Sequence, residues 1–248
     1  MRLAWWAVGT FIVAACTAAA PEQRRASSSR EPDGAAPDLA TIVEAGVDSR
    51  PDPEASLGVL AFRPEEIYSG FDGQHTFKAP IAVYDAADDL QVTVDPSAAT
   101  IARMTLENIP PGQSDTGKYF FVTPKKAGSI ELVATSRGAS TTATLVVAAY
   151  GPTRWAAGKK RYETAGTNGE PPCAQCHTNG AAIDHSPAAL AGVSDANIAL
   201  VITSGISPAG YPITVDHPSE HRWTVTDDER EGLITYLRGL EPRGFGPR

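Results

Sequence analysis

Short runs enriched in β-branched and aromatic residues, several of them alternating with polar ones, recur through residues 57–150. Residues 77–84, 90–94, 101–106, 119–122, 130–135 and 141–147 are of this kind. In 130–135, Ile130, Leu132 and Ala134 alternate with Glu131, Val133 and Thr135. Side chains alternate across a strand, so a period of two predicts half-buried β-strands. Asp72-Gly73, Pro110-Pro111-Gly112, Ala127-Gly128 and Arg137-Gly138 supply turns between them. Short, evenly punctuated strands predict a sandwich. After Gly151 the period lengthens. Trp155, Gly158 and Tyr162 fall at helical spacing within 153–163. Residues 194–202 read as a second helix, with Ser194 as its N-cap and Gly205 just past its end. Thr226 and Glu229 form a capping box that opens a final helix, with Leu233, Tyr236, Leu237 and Leu240 on its inner face.

The first 56 residues follow neither period. A largely apolar run over residues 3–15 ends at Cys16. It is too short to span a bilayer as a mature helix and reads as an export signal. Residues 17–56 are rich in Ala, Pro, Ser, Asp and Glu, with few large apolar side chains. Such a stretch buries too little apolar surface to offset its ordering entropy, which predicts a disordered tether over 16–56. The division is then a signal at 1–15, the tether, a β domain over 57–150 and a second domain over 151–248.

The chemistry concentrates in Cys173-Ala174-Gln175-Cys176-His177. CxxCH is the attachment pattern of a c-type haem: two thiols each join one vinyl group and the following His ligates the iron. A redox dithiol or half of a zinc site are the bland alternatives. No second Cys pair exists to complete a zinc site, and Pro171-Pro172 precedes the motif where a thioredoxin-type site would have a strand. The third cysteine, Cys16, lies at the end of the signal, so none is left for a disulfide.

Three resemblances extend this reading. Val13-Ala14-Ala15-Cys16 resembles the bacterial lipoprotein box, which implies acylation at Cys16. The run 123–135, followed by 142–147, resembles the last two strands of a bacterial Ig-like domain, which implies a structural or binding module. Residues 153–240 resemble a class I cytochrome c domain. The expected fold is therefore an all-β Ig-like sandwich followed by a small all-α cytochrome c fold. The cytochrome resemblance implies thioether sites at Cys173 and Cys176 and proximal ligation by His177. It implies that the Pro187 carbonyl accepts from the ligand's Nδ1, that Leu190 packs on the haem, and that Gly158 admits the last helix near Tyr236.

One departure from that family bears on function. Its distal Met has no counterpart, because the only methionines are Met1 and Met104. The loop before the last helix offers His217 and His221 instead, and His221 is favoured because of the His-x-Trp that precedes the capping box. A five-coordinate iron, or a Lys or Tyr ligand, stays open. His185 lies eight positions after His177 and reads as a surface or propionate-facing residue. Imidazole in place of thioether lowers the haem potential.

These features point to an exported, lipid-anchored electron carrier with one covalently bound haem c. Its partner would be a redox protein in the periplasm or at the cell surface. Thr17 lacks the Asp that signals inner-membrane retention, which favours the outer membrane. A haem enzyme or gas sensor with an open distal site is a second reading, and an Ig-like adhesion module carrying a cytochrome a third. The formal charge of −8 contains no basic run, which argues against nucleic acid. The acidic cluster Asp227, Asp228, Glu229 and Glu231 reads as helix capping, or as guidance for a basic partner.

Overall fold

The computed structural model describes residues 58–107, 116–178, 185–213 and 221–247. The signal, Cys16, the tether and His217 lie outside them. Strands β1 (Ala61–Arg63), β2 (Glu66–Phe71), β3 (Ala79–Tyr84), β4 (Gln91–Val94), β5 (Ala99–Leu106), β6 (Lys118–Pro124), β7 (Gly128–Ser136) and β8 (Ala139–Ala149) come first. Helices α1 (Arg154–Glu163), α2 (Ala174–His177), α3 (Pro187–Leu190), α4 (Asp195–Ser204) and α5 (Asp227–Arg238) follow, and β9 (Phe245–Pro247) ends the chain.

Two sheets form the β part, ordered β1-β3-β6-β5-β9 and β2-β8-β7-β4. The first is antiparallel throughout. In the second, β2 runs parallel to β8, with Ile67 opposite Leu145. The alternation in β7 has the predicted sense: Ile130, Leu132 and Ala134 are buried while Glu131 faces solvent. Ile67, Ile81, Val83, Val122, Leu132 and Leu145 fill the space between the sheets. Fully burying one such side chain is worth about 1.5–3 kcal/mol.

α4 begins and ends, and α5 begins, where the caps predict. Ser194 Oγ accepts from Asn197 N at α4, and Gly205 closes that helix at φ 65°. That left-handed conformation favours glycine. At α5 both halves of the Thr226–Glu229 capping box are present. The acidic first turn is also paired internally: Arg154 meets Asp228 at 2.5 Å and Glu231 at 3.1 Å, and Arg230 meets Asp227 at 2.8 Å.

The expected separate all-α cytochrome c fold is not what the chain forms. The helices are few and small, and residues 58–248 make one compact unit with the sandwich. Three contacts explain this. β9 adds to the sandwich sheet, with Phe245 opposite Leu106 and its ring 5.2 Å from that of Phe121. The Tyr68 N–H donates to the Ala191 carbonyl at 2.8 Å. Trp155 of α1 stacks on His75 and meets Phe77 edge-on. The helices therefore bury apolar surface against strands as well as against one another.

Gly158 does serve close approach, but against Gly232 and Leu233 of α5. A Cβ there would lie 1.8 Å from the Gly232 carbonyl oxygen, a backbone atom that cannot swing aside. Ala exceeds Gly in helix propensity by about 1 kcal/mol, whereas overpacking of this kind costs about 1–3 kcal/mol or more. Gly158→Ala is therefore expected to lose stability, seen as a lower urea midpoint at unchanged slope. A midpoint equal to wild type would contradict the α1–α5 contact.

Candidate functional site

Cys173 caps the one-turn helix α2, and its carbonyl accepts from the N–H groups of Cys176 and His177 at 3.3 and 3.2 Å. Residues three apart on a helix are neighbours, so Cys173 and Cys176 share a side. Both cysteines are half-buried. Burial raises the Cys173 thiol above its ordinary value, and the nearby Arg161 charge lowers it less. Reactive CxxC dithiols need the opposite shift, so the redox-dithiol alternative loses ground.

The segment after α4 is tied to this turn. Trp223 Nε1 donates to the Pro171 carbonyl at 3.1 Å, and Thr224 N to Glu170 Oε1 at 3.1 Å. His221 is thereby held near His177, with ring centroids 6.2 Å apart and planes at 87°. Its other neighbour is Trp223, 4.3 Å away. Burial and the charge of His177 depress the His221 pKa, against weaker opposing hydrogen bonds to backbone groups of Val201 and His221 itself.

His185 is the residue that sequence reasoning undervalued. Its ring stacks on His177 at 3.4 Å and 18° and lies 6.0 Å from Tyr162. Burial pushes its pKa down to about 3, helped by His177, His221 and Arg243, so the ring is neutral at physiological pH. At ring contact with His177, His185 leaves no gap for an atom between them. His221 is placed to face His177 across a gap; His185 is not.

The remaining predicted residues are also close. Pro187 starts α3 and is buried, and its carbonyl accepts from Ala191 N at 2.9 Å. Leu190 packs on the cluster of Tyr162, Ile198, Trp223, Leu233 and Tyr236. Arg243 donates from Nη2 to the His177 carbonyl at 3.5 Å and from its backbone to Ser186 Oγ at 3.3 Å. Arg161, only 4% exposed, donates to the Thr164 carbonyl at 3.0 Å.

Among the described residues, three buried side-chain polar atoms lack a hydrogen-bond partner: Arg161 Nη2, His185 Nδ1 and His221 Nδ1. Arg161 lies close enough to shift Cys173, and the two histidines adjoin His177, so all three surround the CxxCH. Native interiors rarely leave such atoms unsatisfied, and an absent ligand is one standard cause. A donor set of two thiols, facing imidazoles and a buried guanidinium fits a haem.

Neither a family model nor a curated protein matches the chain. Among solved structures, the S-layer protein rSbsC(31-844) is similar at 20% identity and a TM-score of 0.28, over 38% of this chain and 13% of that one. SbsC domains 5-6 give 20% and 0.28 over 38% and 45%. SbsC domains 4-9 give 21% and 0.29 over 39% and 15%. The chain thus spans less than half the length of each of these three. The structure itself corrects the resemblances to a class I cytochrome c and a bacterial Ig-like domain. Among the described residues no group of three or more His, Cys, Asp or Glu is placed to hold a metal ion, and the chain is a β-rich sandwich with small helices.

Proposed function

We propose that this chain binds one haem c at Cys173 and Cys176 and serves as an exported single-electron carrier. The observation that carries the reading is the gathering of every unpartnered buried polar side-chain atom, among the described residues, around the CxxCH. Bound haem supplies an iron that takes and gives one electron. The chain's own residues do the rest. Cys173 and Cys176 would hold the group by thioether bonds, and His177 and His221 would offer it imidazole. Arg161 Nη2 is a buried donor suited to a haem carboxylate. Trp223 and Leu190 keep water from the site. Two ligands in place suit electron transfer, since the rings need not move when the charge changes.

The signal over residues 1–15 and Cys16 support export with a lipid anchor. Several buried acyl chains hold firmly, at about 0.8 kcal/mol per methylene. A redox protein on the same side of the membrane is the partner this implies.

Visible spectra of the exported protein test the ligand set. Wild type is expected to be six-coordinate and low-spin in both oxidation states. His221→Ala should become high-spin and bind carbon monoxide. If His221→Ala leaves the spectrum unchanged while His217→Ala alters it, the distal assignment passes to His217. A wild type that is already high-spin would favour the enzyme or sensor reading instead.

A further inference from the structure

Six rings run in contact from the sandwich surface to the CxxCH. His75, on the turn after β2, stacks on Trp155 at 4.1 Å and 13°. Trp155 meets Tyr236 edge-on at 5.1 Å, and Tyr236 meets Tyr162 at 5.3 Å. Tyr162 lies 6.0 Å from His185, which stacks on His177 at 3.4 Å. The first ring is anchored: Asp72 accepts from His75 Nδ1 at 2.6 Å and from the His75 backbone N–H at 2.8 Å. The Asp72 side chain is fully buried, whereas that of His75 is 32% exposed. Gly239 makes room for the second ring, since a Cβ there would lie 2.0 Å from the Trp155 indole.

An apolar core needs bulk here but not unbroken ring contact from surface to motif. Electron tunnelling weakens steeply with each gap it crosses, and π-systems at ring contact keep the gaps small. The two tyrosines and the tryptophan are also the side chains most readily oxidised by one electron without breaking a bond between heavy atoms.

We propose that His75, Trp155, Tyr236, Tyr162 and His185 form a route for single electrons between the CxxCH and the sandwich face at His75. A one-electron redox partner would then exchange electrons at that face. This rests on the haem reading for its service, but the route itself belongs to the chain. Under a strong one-electron oxidant the balance is simple. The oxidant takes one electron from Trp155, whose indole proton passes to water. A tyrosine then gives Trp155 one electron, Trp155 regains a proton, and the tyrosine's phenolic proton goes to water. The net change is one electron to the oxidant and one electron and one proton from a tyrosine.

The test has two arms, both with the full chain. In the haem-free protein, pulse radiolysis with azide radicals should give a tryptophan radical that decays into a tyrosyl radical. The rate should be independent of protein concentration. That phase should be lost in Trp155→Phe and in the double variant Tyr162→Phe/Tyr236→Phe, and kept in Tyr84→Phe. In the haem-bearing protein, a ruthenium polypyridyl dye attached at Gln74→Cys should photoreduce the haem severalfold more slowly once Trp155 is Phe. Ring-conserving changes keep the fold, which circular dichroism checks. A phase that survives in both the tryptophan and the tyrosine variants overturns the route. If no haem is bound but the haem-free phase behaves as expected, the haem reading fails and the route stands.

Discussion

Replacing Arg238 by Met is expected to cost about 3 kcal/mol of folding stability, the low end of what breaking a buried ion pair costs. Arg238 is 1% exposed at the end of α5. Its Nε and Nη2 donate to Asp195 Oδ1 at 3.0 and 2.9 Å, and Nη1 donates to the Leu190 carbonyl at 2.7 Å. Nη2 also donates to the Val193 carbonyl. Asp195 Oδ2 in turn accepts from the Tyr150 hydroxyl at 2.8 Å, so one guanidinium joins α5, α4, the turn after α3 and the end of β8. Met matches the bulk but donates nothing, leaving Asp195 with a single neutral partner and taking a charged donor from the Val193 carbonyl, while the Leu190 carbonyl keeps the Val193 N–H at 3.0 Å. The Asp195 side chain is 30% exposed and keeps some hydration, which is why the low end applies. Urea titration measures the loss. A double-mutant cycle with Asp195→Asn separates the ion pair from the carbonyl contacts. A loss under about 1 kcal/mol would match a surface salt bridge and contradict the description.

Sequence made β3 to β8 visible because runs of β-branched and aromatic residues mark them, and made α4 and α5 visible because caps mark their ends. β2 escaped because one of its inward positions is Ser69, buried yet polar, which breaks the apolar alternation. β9 escaped because three residues carry no period, and its partner strand β5 lies far away along the chain. That strand is one of three contacts that tie the helical region to the sandwich, beside Tyr68 to Ala191 and Trp155 on His75. The site was partly legible for the same reason. The CxxCH is contiguous and can be read directly, whereas Arg161, His185 and Arg238 matter through partners brought close by the fold. Arg238 lies in the last turn of α5, and its partner Asp195 is a first-turn residue of α4, 43 positions earlier. Each has an adequate local explanation that hides the long-range one.

The double variant Cys173→Ser/Cys176→Ser is expected to carry no covalently bound haem. Denaturing electrophoresis followed by a haem-peroxidase stain should show a band for wild type and none for the variant. The reason lies in the bond and not in the pocket. On the haem reading each thiol would add its sulfur to one vinyl carbon and its hydrogen to the other, a C–S and a C–H bond forming as the S–H bond and the vinyl π bond break, with no net oxidation or reduction. A serine hydroxyl at the same position is a far weaker nucleophile. Imidazole contacts from His177 and His221 would survive in the variant, so any haem it retains would be extracted by denaturant. Single variants keep one thioether and should stain with reduced yield. The partner-free atoms then discriminate further. If haem occupies the site, the buried Arg161 Nη2 and the Nδ1 atoms of His185 and His221 cease to be a cost, and wild type should resist urea better than the double variant. Equal stability in two proteins that differ in haem content would mean the group sits outside this cluster.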